Sequence, residues 1–175
     1  ALINPQKVKY LSLKNKNLTD IPQQVFLFKN LFTLELEHNM ILKLPKDIQS
    51  LKKLNFLLLG TNQIKFLPSE ITNLKKLYKI DLSDNKLDSV PKEIFYLESL
   101  WELDLADNNI VLIPSEIKNL KKLKYLYLSN NKLSKLPDEL FKMDNLQEIY
   151  LRGNSFTDSE KEYIRKRLTK TKIIF

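Results

Sequence analysis

The chain of 175 residues contains no cysteine, and that absence removes three kinds of chemistry at once. There is no disulfide framework, no thiolate metal site and no cysteine nucleophile. Glycine is nearly missing too. Gly60 and Gly153 are the only two, each isolated, so no glycine-rich loop exists to cradle a phosphate. His38 is the single histidine. A Ser-His-acid relay would need an activated serine such as Ser12 beside it, and nothing marks one. Zinc takes three or four ligands, so His38 with Glu37 makes no site within one chain. No apolar run approaches the roughly 20 residues that span a bilayer, so no membrane insertion is expected. Arginine is scarce, at Arg152, Arg165 and Arg167, and lysine carries most of the net charge of +8. Such a balance can attract polyanions. The interleaved aromatic and arginine pattern of nucleic-acid readers is absent, so nucleic acid is not an expected partner.

What is present is a period of 23 residues. Leu31-x-x-Leu34-x-Leu36-x-x-Asn39-x-Ile41 returns as Leu54-x-x-Leu57-x-Leu59-x-x-Asn62-x-Ile64. Further copies run from Leu77 to Leu87, Leu100 to Ile110, Leu123 to Leu133 and Leu146 to Phe156, after a degenerate one from Val8 to Leu18. Six of the seven prolines share one register: Pro22, Pro45, Pro68, Pro91, Pro114 and Pro137. A fixed period of this length marks a solenoid.

Within each copy the period changes. Ile80 and Leu82 alternate with Lys79, Asp81 and Ser83, as a strand with one buried face requires. Ile71, Leu74 and Leu77 follow Pro68 at spacings of three, which suits a short helix or 3₁₀ turn. The expected fold is therefore α/β: a parallel sheet on one side of the solenoid and short helices or 3₁₀ turns on the other. An Asn follows each strand, as Asn39, Asn62, Asn85, Asn108, Asn131 and Asn154. A short amide supplies a donor and an acceptor where backbone groups leave the sheet, so these residues are read as a structural ladder.

The unit resembles the leucine-rich repeat in its 23-residue form. The resemblance covers Val8 to about Phe156. The chain is further similar to the leucine-rich repeat proteins of Leptospira, through the opening Ala1-Leu-Ile-Asn-Pro-Gln-Lys-Val8 and the closing segment from Glu160 to Phe175. The resemblance implies a curved solenoid with a concave sheet, export behind a signal peptide to the cell surface or beyond, and binding of host or partner proteins. Repeat 1 departs from the pattern, with Lys16 at the Asn position, so the ladder is expected to start at repeat 2.

The expected organisation is a single domain: a thin N-terminal cap over 1–7, about seven repeats over 8–156, and a capping helix with a last strand over 157–175. Thr157 to Glu160 and Ser159 to Glu162 are overlapping capping-box candidates, and Tyr163, Ile164 and Leu168 share one side of the helix that follows. A chain beginning at Ala1 without Met implies that something upstream was removed or left out. The first strand should present a free edge, a template for weak homodimer formation.

Register assigns the outward residues to rows. The first is Tyr10, Thr33, Phe56, Lys79, Glu102, Tyr125, Glu148. The second is Ser12, Glu35, Leu58, Asp81, Asp104, Tyr127, Tyr150. The third is Lys14, Glu37, Gly60, Ser83, Ala106, Ser129, Arg152. A fourth, at the strand ends, is Asn15, His38, Thr61, Asp84, Asp107, Asn130, Gly153. The centre of this face is acidic although the chain is basic. The acidic group Asp81, Asp84, Asp104 and Asp107 lacks the loop that wraps a hard cation. No cofactor is expected. Phe56, Leu58, Tyr125, Tyr127 and Tyr150 point outward, with Trp101 on the neighbouring rim. Together with Glu35, Asp81 and Asp104 they form the candidate site for a protein ligand, since aromatic residues among polar ones are the material of binding hot spots. The alternative is a glycosaminoglycan or other polyanion held by the lysine edge, Lys52, Lys53, Lys75, Lys76, Lys121 and Lys122. Either way the reading is a non-enzymatic binding scaffold.

Overall fold

The computed structural model describes residues 4–175. Ala1, Leu2 and Ile3 of the expected N-terminal cap lie outside the described residues. Eight strands of three residues form one parallel sheet in chain order: β1 (Tyr10–Ser12), β2 (Thr33–Glu35), β3 (Phe56–Leu58), β4 (Lys79–Asp81), β5 (Glu102–Asp104), β6 (Tyr125–Tyr127), β7 (Glu148–Tyr150) and β8 (Lys172–Ile174). From β1 to β7 each residue pairs with the one 23 positions on, as Tyr10 with Thr33 and Thr33 with Phe56. The last step is 24, because Glu148 pairs with Lys172.

The described residues form seven 3₁₀ helices: η1 (Pro5–Lys7) before β1, and on the return side η2 (Gln23–Leu27), η3 (Lys46–Ser50), η4 (Ser69–Asn73), η5 (Lys92–Tyr96), η6 (Ser115–Asn119) and η7 (Leu140–Lys142). The choice of 3₁₀ over α follows from the spacing of three. In repeat 2 the bonds run from Ile48 N to Pro45 O, Leu51 N to Ile48 O and Leu54 N to Leu51 O, at 3.1, 3.1 and 2.9 Å. Residues three apart eclipse in this geometry. Ile48, Leu51 and Leu54 thus form one line, and all three are fully buried. Proline starts the turn at no cost, since its missing N–H would have had no partner there.

The core fills the space between sheet and turns. Leu34, Leu57, Ile80, Leu103, Leu126 and Ile149, the middle residues of β2 to β7, stack with no exposed surface. The Asn ladder closes the end of each strand. Asn85 donates to the carbonyls of Leu59 (3.0 Å), Leu82 (3.2 Å) and Ser83 (3.0 Å), and its Oδ1 accepts from Ile64 N (2.9 Å). Half of those partners belong to the preceding repeat, so the amide joins repeats as well as closing its own. The ladder starts at repeat 2: Asn39 Oδ1 accepts from Lys16 N and Leu18 N, both at 3.0 Å.

The fourth row is a turn and not part of the open sheet face. Asn15, His38, Thr61, Asp84, Asp107, Asn130 and Gly153 all have positive φ, between 48° and 70°. The left-handed conformation reverses the chain into the Asn ladder. It is easy for Gly, tolerated by Asn and Asp, and strained for β-branched Thr61.

At the C-terminus α1 (Asp158–Arg167) is capped by Thr157, whose Oγ1 accepts from Glu160 N at 3.2 Å. Ser159 lies inside the helix, so Thr157 is the residue that caps it. Ile164 and Leu168 are buried, whereas Tyr163 stays on the flank, edge-on to Phe141 at 5.7 Å. Strand β8 follows and pairs with β7. At the other end β1 has β2 as its one partner in the sheet order, and Val8, Leu11, Leu13 and Leu18 are only partly covered.

Candidate functional site

The outward face of the sheet carries the expected first and second rows in the expected register. Phe56 and Tyr125 take the first position of β3 and β6. Glu35, Leu58, Asp81, Asp104, Tyr127 and Tyr150 take the last position of β2 to β7. All eight are half-buried, the state of side chains that lean on neighbours while keeping one side in water.

The aromatic residues form a continuous ribbon. Ring centroids run Phe32 to Phe56 at 5.4 Å, Phe56 to Tyr78 at 5.8 Å, Tyr78 to Trp101 at 4.9 Å and Trp101 to Tyr125 at 4.7 Å. Five rings thus cross repeats 2 to 6 without a break. Phe32, Tyr78 and Trp101 stand one residue before their strands, where alternation would aim them away from Phe56 and Tyr125. Phe32 N and Thr33 N both donate to Lys9 O, as Tyr78 N and Lys79 N do to Asn55 O and Trp101 N and Glu102 N to Tyr78 O, so alternation breaks there and the rings share one rim. Phe32 and Tyr78 therefore join the candidate residues, and the signal was their shared pre-strand position. Lys124 Nζ lies 5.3 Å from the Trp101 ring, a cation–π contact. Tyr127 stacks on Tyr150 at 4.5 Å, separately from the ribbon.

The acidic centre is smaller than the count of carboxylates suggests. Glu102 pairs with Lys79 at 2.8 Å, and Glu37 pairs with Lys14 at 2.8 Å. Glu37 is largely buried, and its Oε2 has no hydrogen-bond partner. Asp84, Asp107 and His38 sit on the left-handed turns at the end of the sheet. What remains on the face is Glu35, Asp81 and Asp104, none in an ion pair among the described residues. Asp81 Oδ1 accepts from Ser83 N at 2.9 Å and Ser83 Oγ at 2.7 Å. Both groups lean over Gly60. A Cβ there would come within 2.9 Å of Ser83 Oγ and 3.2 Å of the Asp81 carboxylate, so a side chain at this position would make them shift.

Asp104 is pushed up to about 6, chiefly by burial and further by the charge of Asp81 beside it, against a bond from Ala106 N at 3.0 Å that favours the ionised form. Tyr127 is raised to about 12, by burial first and then by Glu102, Tyr150, Asp104 and Glu148. Glu148 is held low, first by the Tyr150 hydroxyl, which donates to it at 2.5 Å, and then by Lys172. The Tyr127 and Tyr150 hydroxyls, both raised, therefore stay neutral donors at ordinary pH.

The lysine edge lies elsewhere. Lys52, Lys53, Lys75, Lys76, Lys121 and Lys122 are all exposed. Lys53 Nζ donates to Asn30 Oδ1 at 2.7 Å and Lys75 Nζ to the Tyr96 carbonyl at 3.5 Å. An open depression of about 450 Å³ borders this edge between Tyr96 and Lys122, and another of about 340 Å³ lies between Lys118 and Asn145. Neither reaches the aromatic ribbon. Among the described residues no group of three His, Cys, Asp or Glu could hold a metal ion, and no helix is long and apolar enough to cross a membrane.

Comparison with known proteins places this geometry. A family model described as leucine rich repeat matches residues 6–64, 75–133 and 111–156. The structure of a leucine-rich repeat protein of Leptospira interrogans superposes with a TM-score of 0.92 at 41% identity, over 97% of this chain and 43% of that one. The chain thus spans less than half the length of that relative. An internalin from Listeria monocytogenes shares the fold, at TM-score 0.76 and 24% identity over 89% of this chain and 44% of its own. The leucine-rich repeat ectodomain of the plant membrane receptor kinase GASSHO1/SCHENGEN3 from Arabidopsis thaliana, solved in complex with Casparian strip integrity factor 2, matches at TM-score 0.71 and 32% identity, over 89% of this chain and 19% of that one. No curated protein matches the chain.

Proposed function

Because the chain belongs to the leucine-rich repeat family, whose members are typically protein-binding scaffolds without catalytic activity, we propose that it binds a protein ligand on the outward face of its sheet. The observation that carries this is the unbroken row of five rings, open to water along one rim and bordered by the unpaired carboxylates of Glu35, Asp81 and Asp104. Aromatic anchors among polar groups supply most of the energy of protein contacts. The plant receptor ectodomain, with its bound factor, supports a polypeptide ligand. We place the protein at the cell surface or outside the cell, in contact with host or partner proteins, with residues 1–175 as one repeat domain. The likeness to the ectodomain of a membrane receptor kinase supports the location.

Phe56→Ala and Tyr127→Ala are expected to weaken binding of a partner captured from host or bacterial extract at least about tenfold, with little loss of stability. Lys75→Glu with Lys76→Glu should matter much less. The reverse result would replace this reading with the second one, a polyanion held by the exposed lysine register of Lys52, Lys53, Lys75, Lys76, Lys121 and Lys122. That binding would collapse with added salt, whereas an aromatic contact would persist. Among the described residues β1 pairs with β2 alone, which supports a further proposal, weak self-association by edge pairing. It predicts a sedimentation coefficient that rises with concentration, and a constant monomeric value refutes it.

A further inference from the structure

The flank that follows the Asn ladder carries a surface of a different composition from the sheet face. In each repeat the residues one, three and four places after the ladder Asn point outward, while the one two places after it, such as Ile41 or Ile64, is fully buried. Backbone bonds from Met40 N to Leu18 O (2.8 Å), Lys86 N to Ile64 O (2.9 Å) and Lys132 N to Ile110 O (2.9 Å) hold successive repeats in phase here. The outward positions therefore form straight rows, with about 4.8 Å from one repeat to the next. These rows lie past the ends of the strands, whereas Tyr78 and Trp101 stand before the starts.

From repeat 2 to repeat 6 the rows hold Met40, Leu42, Phe66, Val111 and Leu112, each between 40% and 59% exposed. These five are half of the large apolar side chains left exposed among the described residues. Among them stand Lys43, Lys65, Lys86, Lys132 and Lys135, all exposed and none in an ion pair among the described residues. Asp88 is the single carboxylate in these rows. The acidic residues Asp47, Glu70, Glu93 and Glu116 begin only on the 3₁₀ turns, past the prolines that end the flank.

The composition separates three kinds of partner. A polyanion would use the lysines and leave five apolar side chains in water. The centre of a protein contact favours Tyr, Trp and Arg and is depleted in Lys, and these rows hold five Lys and none of those three. An anionic bilayer uses both kinds of residue. Apolar side chains enter the boundary between headgroups and acyl chains, and lysines lay their stems along it with the charge on the headgroups. We propose that this flank lies on an anionic lipid bilayer, with Leu42, Phe66 and Leu112 in the headgroup boundary and Lys43, Lys65 and Lys135 on the lipid phosphates. The chain rests on the membrane without crossing it, and the aromatic rim, at the other end of the strands, points away and stays free for a protein ligand.

The probe is sucrose-loaded vesicles of phosphatidylcholine with phosphatidylglycerol at about one part in three, compared with pure phosphatidylcholine. The protein should sediment with the anionic vesicles and bind the uncharged ones at least about tenfold more weakly. Phe66→Ser with Leu112→Ser keeps the charge and should weaken binding at least about tenfold. Binding indifferent to that pair would leave attraction of charge alone and overturn the inference. Lys43→Glu with Lys65→Glu should also weaken binding at least about tenfold. An equal loss from Lys75→Glu with Lys76→Glu, the same charge change on the lysine edge, would overturn the flank in favour of net charge. Melting temperatures should hold throughout, since every changed side chain is exposed. The Phe66→Trp variant should gain emission that brominated acyl chains quench, whereas Trp101 in the unaltered protein should not be quenched. Quenching of Trp101 would put another face on the bilayer and overturn the inference. No sedimentation with either vesicle would overturn the bilayer, and a protein partner then lost with Phe66→Ser and Leu112→Ser would make the flank a protein contact.

Discussion

At the scale of single residues, the buried amides and the central carboxylate decide most. Asn85 is 2% exposed and satisfies four backbone groups. Asn85→Leu keeps the volume but leaves Ile64 N–H and three carbonyls without that partner. The carbonyls keep Asn62 Nδ2, Asn108 Nδ2 and Thr61 N as donors, so Ile64 N–H is the one orphan. A buried orphan costs about 1–3 kcal/mol, so a clear drop in melting temperature is expected with no change in partner binding. An unaltered melting temperature would remove the ladder's structural role. Asp104 carries the pH dependence. Its folded value, about 6, lies above the ordinary 3.8, so the fold favours the protonated acid. The stability from this group is complete below about pH 4 and is lost as pH rises through about 6. Lys79 opposes the shift, and Asp81 and Glu102 reinforce it. Asp104→Asn retains an acceptor for Ala106 N–H, and should remove the slope between pH 4 and 6 and add on the order of 1–2 kcal/mol at neutral pH, discounted for partial exposure. Denaturant melts across that range would show it, and a slope kept by the variant would refute it. The left-handed turns were legible in part. Asn15, Asp84, Asp107, Asn130 and Gly153 are residues that tolerate positive φ, but His38 and Thr61 at the same position hide the rule.

At the scale of elements, period accounts for what could be read from sequence. Alternation gave the strands, spacing by three gave the 3₁₀ turns, and the 23-residue step gave the register of β1 to β7. The ion pairs Lys14–Glu37 and Lys79–Glu102 also follow from register, as lateral neighbours in one row. The aromatic ribbon does not. Alternation says which face a strand residue takes and nothing about a residue just before it, so the shared pre-strand position puts Trp101 on the neighbouring rim but does not give its ring contacts with Tyr78 and Tyr125. The terminal helix rests on its cap and two buried side chains. Thr157→Ala removes the acceptor for Glu160 N–H and should cost about 1 kcal/mol. Faster amide exchange in α1 and β8, with the central strands unchanged, would be the mark of that loss. Uniform acceleration along the chain would mean that the end does not loosen as a unit.

At the scale of the whole molecule, each repeat touches little beyond its two neighbours, so stability accumulates along one direction. The face accumulates in the same way. Residues far apart in sequence become lateral neighbours only because every step returns the chain to the same phase, and the step from Tyr10 to Thr33 is the step from Tyr125 to Glu148. Length is therefore a free variable of this architecture. Losing the 23 residues from Asn55 to Leu77 would join Leu54 to Tyr78 in phase, with every amide and every line of leucines resumed. The row of rings would close up as Phe32, Tyr78, Trp101, Tyr125, shorter by one place and without Phe56. A gene that slips by one unit thus makes a shorter ruler with the same markings. Variation in what such a protein grips can come by insertion and deletion, with no point change in the core.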